Sequence, residues 1–244
     1  QTQRRPPVPN PLFDTLFAPH LGADTPFLHV HDGSCWSHAR FLAHAAQYAN
    51  ALKDLGLVPG DRLAAQIAKS PQALALYAAC VQAGIVFLPL NPAYTPPEVG
   101  YFTEDSGASL LLCDGAAEPA LRAALAARIL TLDADGGGSF TAVAATHPTS
   151  ADTADRAPDD LAALLYTSGT TGRSKGAMLT QTNLLSNAET LANLWQFTAA
   201  DCLLHALPIF HTHGLFVACN VSLIAGGSMI LQAKFDLEAV VAAL

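Results

Sequence analysis

The chain alternates short apolar runs with amphipathic runs along most of its length, and this alternation restricts the folds open to it. The runs DRLAAQIA, IVFLPLN and SLLLCD have the length and apolar content of buried strands. The helical run SHARFLAHAAQYANALKDLG ends at Gly56, a residue type that favours helix ends. Strands separated by helices of this length form parallel βαβ units. The pattern predicts an α/β fold of mostly parallel sheets flanked by helices.

Local signals also place individual helix boundaries. Ser70 and Pro71 match the N-cap and the first position of a helix that Gly84 would end. Thr95 and Glu98 have the spacing of a capping box, which predicts a second helix beginning there.

Composition excludes several classes of function. Of the 244 residues, 51% are hydrophobic and 13% are charged, which is typical of a globular body with a large core. The net charge is −8 and no basic stripe is present, so we expect no nucleic-acid partner. Five scattered cysteines without a CxxC pair, and no secretory signal at the start, predict free thiols in a cytoplasmic protein.

Two long stretches without charged side chains raise the question of a membrane span. Residues 73–97 and 203–233 contain no Asp, Glu, Lys or Arg. A spanning helix needs about 20 consecutive, predominantly apolar residues. Gly84 and Pro89 interrupt the first stretch and Pro208 interrupts the second. We therefore interpret each as a buried helix and strand, and expect no membrane span.

Changes in composition divide the chain into segments. Residues 1–11 are Pro-rich and polar and are predicted to form a tail, followed by a first α/β segment, 12–132. Residues 133–160 are rich in Gly, Ala, Thr, Asp and Pro and are predicted to be a linker or long loop. A second α/β segment, 161–244, carries a polar loop near its start.

The end of the second segment predicts that its last helix packs against a further part of the same protein. Asp236 has the position of a helix N-cap, and the helical run LEAVVAAL that follows is apolar on most of its surface. The run stops at Leu244 without Gly, Pro or a polar C-cap. We expect the chain to be the N-terminal part of a longer protein; a natural C-terminal helix docked on the core is the alternative.

The polar loop is the strongest functional signal. It follows the predicted strand LAALLY and reads TSGTTGRSKG, with three glycines, five hydroxyl side chains and two cations. Glycines let backbone N–H groups converge on an anion, while hydroxyls and cations add donors and charge. This predicts a polyphosphate site formed by Thr167, Ser168, Gly169, Thr170, Thr171, Gly172, Arg173, Ser174 and Lys175.

The loop matches neither of two common phosphate motifs. It contains no GxxxxGK[ST] sequence and no GxGxxG fingerprint. The residues after it, AMLT, are typical of a strand, so a helix dipole is not the main attraction for the anion. A flexible Ser/Thr/Gly linker is the alternative, but it does not explain two cations at the end of a loop that follows an apolar strand.

The segment YTSGTTGRSKGAMLT resembles the phosphate-binding signature of the adenylate-forming superfamily, which includes acyl-CoA synthetases, luciferases and peptide-synthetase adenylation domains. NPAYTPPEVGYFTEDSGASLLLCD and HALPIFHTHGLFVACNVSLIAGGSMIL resemble further family segments. The resemblance extends from about Ser37 to Leu244 and is greatest for the malonyl-CoA synthetases. It implies that the chain is part of the large N-terminal domain of such an enzyme.

The resemblance also implies an activity and residue roles. The family joins a carboxylic acid to CoA through an acyl-adenylate, releasing AMP and pyrophosphate, with ATP, Mg²⁺ and CoA as cofactors or co-substrates and, here, malonate or a related acid of fatty acid metabolism. Residues 167–175 would enclose the β- and γ-phosphates of ATP, and Thr167 would help ligate Mg²⁺. Lys175 would neutralise the departing pyrophosphate, and His211 would lie near the acyl pocket.

The same resemblance places other parts of the machinery beyond residue 244. These are the adenine and ribose contacts, a second magnesium-binding acid, the hinge, and a C-terminal domain with a catalytic lysine. We therefore expect the 244 residues alone to be inactive.

Other candidate sites are weaker. His211 and His213 would share one face of a strand and could bind a metal, but no further ligand cluster accompanies them, and a histidine satisfied in the core is the ordinary expectation for His213. His29 and His31 precede a predicted hairpin turn at Asp32 and Gly33 and are expected to be solvated. No GxSxG elbow is present.

Rival classes of function remain open. The chain could be a non-catalytic nucleotide- or phosphate-binding module, another phosphoryl-transfer enzyme such as a kinase, an adenylate-forming ligase for another acid, or a structural scaffold, although a scaffold does not explain the composition of the loop.

Overall fold

A computed structural model of the chain describes residues 10–167 and 174–243. These residues form an α/β fold with two sheets flanked by helices, as the alternation of strands and helices predicted. The two long apolar stretches each fold as helical segments and strands rather than as one long helix. Among the described helices, none combines the length and the apolar character needed to cross a bilayer.

The larger sheet has six strands, of which five run parallel. Its order is β6-β5-β3-β4-β7-β8, and only β8 runs antiparallel to its neighbour. Helical connections between the first strands of this sheet produce the parallel arrangement. The strands are β3 (Arg62–Gln66), β4 (Val86–Pro89), β5 (Leu110–Cys113), β6 (Ile129–Thr131), β7 (Leu161–Thr167) and β8 (Lys175–Thr180).

The smaller sheet combines strands from the two ends of the described chain. Its order is β2-β1-β10-β9, where β1, β10 and β9 are parallel and β2 is antiparallel to β1. Gly33, with φ of 82°, lies in the turn between β1 and β2, in agreement with the predicted hairpin. The strands are β1 (Pro26–Val30), β2 (Cys35–Ser37), β9 (Cys202–His205) and β10 (Ser228–Leu231).

The helix boundaries predicted from Ser70, Gly84 and the Thr95 capping box are confirmed. Ser70 accepts a hydrogen bond from the Ala73 amide, Gly84 adopts φ of 72°, and the capping box of Thr95 and Glu98 is formed. The α-helices are α1 (Pro11–Leu16), α2 (His38–Asp54), α3 (Pro71–Ala83), α4 (Pro96–Ser106), α5 (Glu118–Ala124), α6 (Ser139–Ala144), α7 (Gln181–Trp195), α8 (Asn220–Ala225) and α9 (Leu237–Ala243). A 3₁₀ helix (Ala18–His20) and a π-helix (His213–Cys219) complete the set for the described residues.

Two hydrophobic clusters hold these layers together. The larger one includes α3, α2, α1 and one face of the six-stranded sheet, and residues of the π-helix join it. The smaller one lies on the other face of the same sheet, where α4 and α5 cover β3, β4 and β5. The six-stranded sheet is therefore buried on both faces, as parallel sheets usually are.

The segment 133–160, predicted as a linker or long loop, carries helix α6 and is held against α2. Phe140 is fully buried, with its ring 5.1 Å from that of Tyr48. The Asn50 side chain donates to the carbonyls of Pro148 and Ser150, at 3.1 and 2.9 Å. Much of this segment is thus fastened to the body of the protein.

Strands from both flanking segments meet in both sheets. Strand β1 pairs with β10 in the smaller sheet, and β7 pairs with β4 in the larger one. The predicted division of the chain into two α/β segments, separated by residues 133–160, stays a prediction. The predicted tail, 1–11, overlaps the first helix, since α1 begins at Pro11 with Asn10 as its N-cap, and residues 1–9 lie outside the described residues.

Burial of His38 generates a prediction about stability. The His38 ring is stacked between the rings of His20 and Phe27, at 4.4 and 4.5 Å, and its burial, with the neighbouring His20, lowers its pKa from 6.5 to about 4. Between these two pH values the unfolded chain binds a proton that the folded chain does not. The free energy of unfolding should therefore fall as pH drops from 6.5 towards 4, by on the order of 2 kcal/mol from this residue.

Urea denaturation at pH 7 and pH 5 measures this loss, and His38→Phe should reduce it because phenylalanine preserves the stack without a titrating group. Burial also lowers the pKa of His205 to about 4, so part of the loss should remain in that variant. The exposed His31 gives the matched control, His31→Phe. An equal pH dependence in the His38 variant and the wild type would contradict the assignment.

Candidate functional site

The predicted phosphate loop connects the two strands of the β7–β8 hairpin. Thr167, the last residue of β7, lies opposite Lys175, the first residue of β8, in the antiparallel register. The loop therefore follows an apolar strand and precedes another strand, as the sequence predicted. The predicted binding residues Ser168, Gly169, Thr170, Thr171, Gly172 and Arg173 lie outside the described residues.

The two ends of the loop present a hydroxyl and an ammonium group side by side. Thr167 and Lys175 are both exposed. Lys175 forms no salt bridge with any residue that the structure describes, so its charge is available to a ligand. The Thr167 hydroxyl is an oxygen donor of the kind that Mg²⁺ prefers, and it fits the metal role that the resemblance implied.

An aromatic cluster on α4 supports the stem of the hairpin. The Tyr101 hydroxyl donates to the Ser174 carbonyl at 2.8 Å, and the Phe102 ring lies 4.6 Å from that of Tyr166. The Tyr166 hydroxyl donates to the Asp105 carboxylate at 2.6 Å. Burial, together with this carboxylate, raises the pKa of Tyr166, so its hydroxyl remains a donor.

Gly176 lets the β8 strand approach this cluster. A Cβ atom at residue 176 would lie 3.3 Å from the Tyr166 ring, which is tighter than ordinary van der Waals contact. The glycine therefore contributes to packing at the stem as well as to the loop motif.

His211 lies in the turn between β9 and the π-helix. The prediction that His211 and His213 share a strand is wrong: β9 ends at His205, and His213 begins the π-helix. His211 and His213 are both exposed, so the expectation of a core histidine at 213 is also wrong. In the described residues no hydrogen bond or ion pair joins His211 to Thr167 or Lys175, and no group of three or more His, Cys, Asp or Glu could hold a metal ion.

A polar cluster that the sequence analysis missed lies beneath the His211 turn. The Lys69 ammonium donates to His205 Nδ1 at 2.7 Å, to the His205 carbonyl at 2.7 Å and to the Leu207 carbonyl at 2.9 Å. His205 Nε2 lies 2.6 Å from the Gly214 carbonyl, and Cys219 Sγ lies 3.3 Å from the same oxygen. The sequence signal that could have indicated this cluster is the position of Lys69, between an apolar strand and the N-cap of a helix.

A cavity of about 430 Å³ opens beside this cluster. It lies where β1 and β10 end and α3 begins, and Trp36, Lys69 and Leu231 line it. Thr167 and Lys175, the described ends of the predicted phosphate loop, are not among the residues that line it.

Comparison with known proteins decides the family. The sequence matches the family described as AMP-binding enzyme over residues 19–244. The chain belongs to this family.

Two curated relatives illustrate the family, and both are named for CoA thioester formation or ligation to CoA. A feruloyl-CoA synthase of Amycolatopsis sp is 36% identical over 221 residues, covering 88% of this chain and 42% of the relative. An oxalate–CoA ligase of Arabidopsis thaliana is 35% identical over 206 residues, covering 81% of this chain and 40% of the relative. The chain therefore spans less than half the length of these family members.

Solved structures confirm the fold. ATP-bound MatB from Rhodopseudomonas palustris is 50% identical, with a TM-score of 0.88 over 95% of this chain and 46% of that protein. This similarity confirms the resemblance to adenylate-forming acyl-CoA synthetases, the malonyl-CoA synthetases in particular, and the expected place of the chain in their N-terminal domain.

Removal of the Tyr101 hydroxyl should weaken the hairpin stem. Tyr101→Phe deletes the donor to the Ser174 carbonyl, and a typical lost hydrogen bond lowers the free energy of unfolding by about 1 kcal/mol. Urea denaturation gives this value, and amide exchange at residues 174–176 should accelerate.

Tyr94→Phe is the matched control, because the Tyr94 ring packs 4.9 Å from Phe102 on the same cluster and its hydroxyl makes no hydrogen bond to another described residue. Equal losses of stability in the two variants would show that the Tyr101 hydrogen bond contributes nothing.

Proposed function

We propose that the protein containing this chain is an ATP-dependent carboxylate–CoA ligase that acts through an acyl-adenylate, with malonate or a closely related acid as its substrate. One observation carries the proposal: the signature loop connects Thr167 and Lys175 at the exposed end of the β7–β8 hairpin. The family match over residues 19–244 supports the reaction type.

The reaction explains why the loop needs this chemistry. A carboxylate oxygen attacks the α-phosphorus of ATP, the bond to the bridging oxygen breaks, and pyrophosphate leaves. The CoA thiolate then attacks the acyl carbon, and AMP leaves. Two anions must approach each other in the first step, so positive charge and N–H donors held in place at the phosphates lower its barrier.

The proposed roles follow the predicted residues. The loop, 167–175, holds the β- and γ-phosphates, and Lys175 offsets the negative charge that develops on pyrophosphate. The exposed Thr167 hydroxyl contributes to binding Mg²⁺, which neutralises phosphate charge when present. His211, exposed in its turn, contacts the acyl group or the adenylate.

The choice of malonate rests on similarity. MatB, at 50% identity, is much more similar to this chain than the feruloyl-CoA and oxalate–CoA enzymes, at 36% and 35%. The curated relatives differ in the acid they are named for, so the family supports ligation of an acid to CoA. The likeness to MatB, a malonyl-CoA synthetase, supports malonate. Ligation of another acid is the alternative.

An exchange assay tests the proposal. With the full-length protein, labelled pyrophosphate should enter ATP only when an acid is present, and malonate should give the highest rate in a panel that includes oxalate, succinate and ferulate. Complete turnover with CoA should release AMP. ADP as the product would support a kinase instead, and phosphate-loop binding without any exchange would support a non-catalytic module.

The isolated 244 residues provide a control in the same assay. They cover 46% of MatB, and we propose that they produce no acyl-CoA from ATP, malonate and CoA. Repeated turnover by these residues alone would contradict the view that catalysis needs more of the enzyme.

Lys175→Ala should abolish most adenylation without unfolding the protein. The side chain is exposed at the end of the hairpin, so its loss leaves the core intact and removes one charge from the phosphate site. The exchange rate should fall roughly a hundredfold or more, with an unchanged thermal midpoint.

Lys53→Ala is the matched control, since Lys53 is also an exposed lysine but donates to the Asp152 carbonyl beside α2. Equal exchange rates in the wild type and the Lys175 variant would remove Lys175 from the site.

A further inference from the structure

The turn that carries His211 is closed at its base. Gly214, which follows the turn, packs so closely on Pro208 that a Cβ atom at residue 214 would lie 2.0 Å from the Pro208 carbonyl oxygen. Ile209 is buried within the turn, while residues 211–213 are exposed at its tip. The shape of the turn thus depends on how its two feet, at residues 205–207 and at 214, are held.

Lys69 holds the first foot with all of its donors. A protonated lysine has three N–H groups, and here they meet His205 Nδ1, the His205 carbonyl and the Leu207 carbonyl at 2.7, 2.7 and 2.9 Å. Lys69 itself follows β3 and precedes the Ser70 cap of α3, which places it on a rigid part of the core.

His205 transmits this contact to the second foot. Because Lys69 donates to Nδ1, that nitrogen is the acceptor and the proton of the neutral ring resides on Nε2. Nε2 then donates to the Gly214 carbonyl at 2.6 Å. One lysine therefore determines the histidine tautomer that ties the end of β9 to the start of the π-helix.

We propose that Lys69 is a positioning residue, which acts through His205 to hold the His211 turn in the conformation that places His211 at the acyl-adenylate. The proposal rests on the proposed function for the role of His211, whereas the restraint on the turn is independent of it. Lys69 does not bind phosphate in this scheme, since its three donors are already used within the protein.

The protonation states of the cluster agree with this geometry. Burial lowers the pKa of Lys69 to about 8 and, with the neighbouring lysine, that of His205 to about 4, so near neutral pH the lysine is charged and the histidine neutral. Burial raises the pKa of Cys219 to about 12, and it also raises that of Tyr77, the other titratable group beside this thiol. Among these groups, Lys69 is therefore the one that titrates between pH 7 and pH 10.

Amide hydrogen exchange tests the restraint without any activity. In the full-length protein, Lys69→Met removes the three donors but keeps an unbranched side chain of similar length. Amide exchange should accelerate at residues 206–215, including the Leu215 amide that donates to the His211 carbonyl, and not in the centre of α3. Lys53→Met should leave the turn unchanged, and unchanged protection in the Lys69 variant would overturn the proposal.

A double-mutant cycle tests whether the restraint acts through His211. Lys69→Met should lower the turnover rate of pyrophosphate exchange on the order of tenfold to a hundredfold, with the KM for ATP nearly unchanged, because a misplaced group costs rate rather than phosphate binding. In a His211→Ala background, the same change should have little further effect. Fully multiplicative losses would show that Lys69 does not act through His211.

If the Lys69 variant does not fold, the wild type provides a second test of the restraint on the turn. Exchange of the turn, corrected for the intrinsic effect of pH, should accelerate relative to α3 as pH rises from 7 to 10, since deprotonated Lys69 loses one donor. Constant relative protection would overturn the restraint. Absence of pyrophosphate exchange in the wild type would refute the proposed function while leaving both amide-exchange arms to decide about the turn.

Discussion

Helix α3 is apolar on every face, and the surrounding elements are arranged so that they cover the whole helix. All but one of its 13 residues are buried, among them Tyr77, whose ring meets those of Phe87 on β4, Phe17 after α1 and Phe216 in the π-helix. Burial of a large apolar side chain contributes roughly 1.5–3 kcal/mol. A helix of this composition is stable only with neighbours on every side. Helix α3 contacts β4 of the six-stranded sheet and also the π-helix, which lies between β9 and β10 of the smaller sheet. These contacts join the two sheets.

This burial also determines where the functional groups are found. The start of α3 places Lys69 against the end of β9, at the foot of the His211 turn. Strand β4, which follows α3 in the chain, pairs with β7, and β7 pairs with β8. The signature hairpin therefore lies at the edge of the sheet. The proposed site therefore combines a buried interior with two exposed segments, one for the proposed phosphate contact and one for the proposed acyl contact.

Charge is used locally in this acidic protein. With a net charge of −8, the chain would attract the proposed anionic nucleotide only through groups placed at the binding point. Lys175 is exposed and forms no ion pair within the described ranges, 10–167 and 174–243, whereas Lys69 is committed to three internal acceptors. The two lysines thus have different roles because they differ in burial. The charge of Lys69 is used to hold backbone carbonyls, and that of Lys175 remains available to a ligand.

The sequence by itself determined the α/β class, the ends of α3 and α4, the strands on either side of the predicted phosphate loop, and the family, because periodicity, capping residues and a dense motif are local signals. Tertiary structure alone decided that β1 and β2 join β9 and β10, that residues 139–144 form a helix on α2, that His213 is exposed, and that Lys69 meets His205. These features depend on contacts between residues far apart in the chain, such as the 136 positions between Lys69 and His205, and no local pattern records which distant group will satisfy a buried donor.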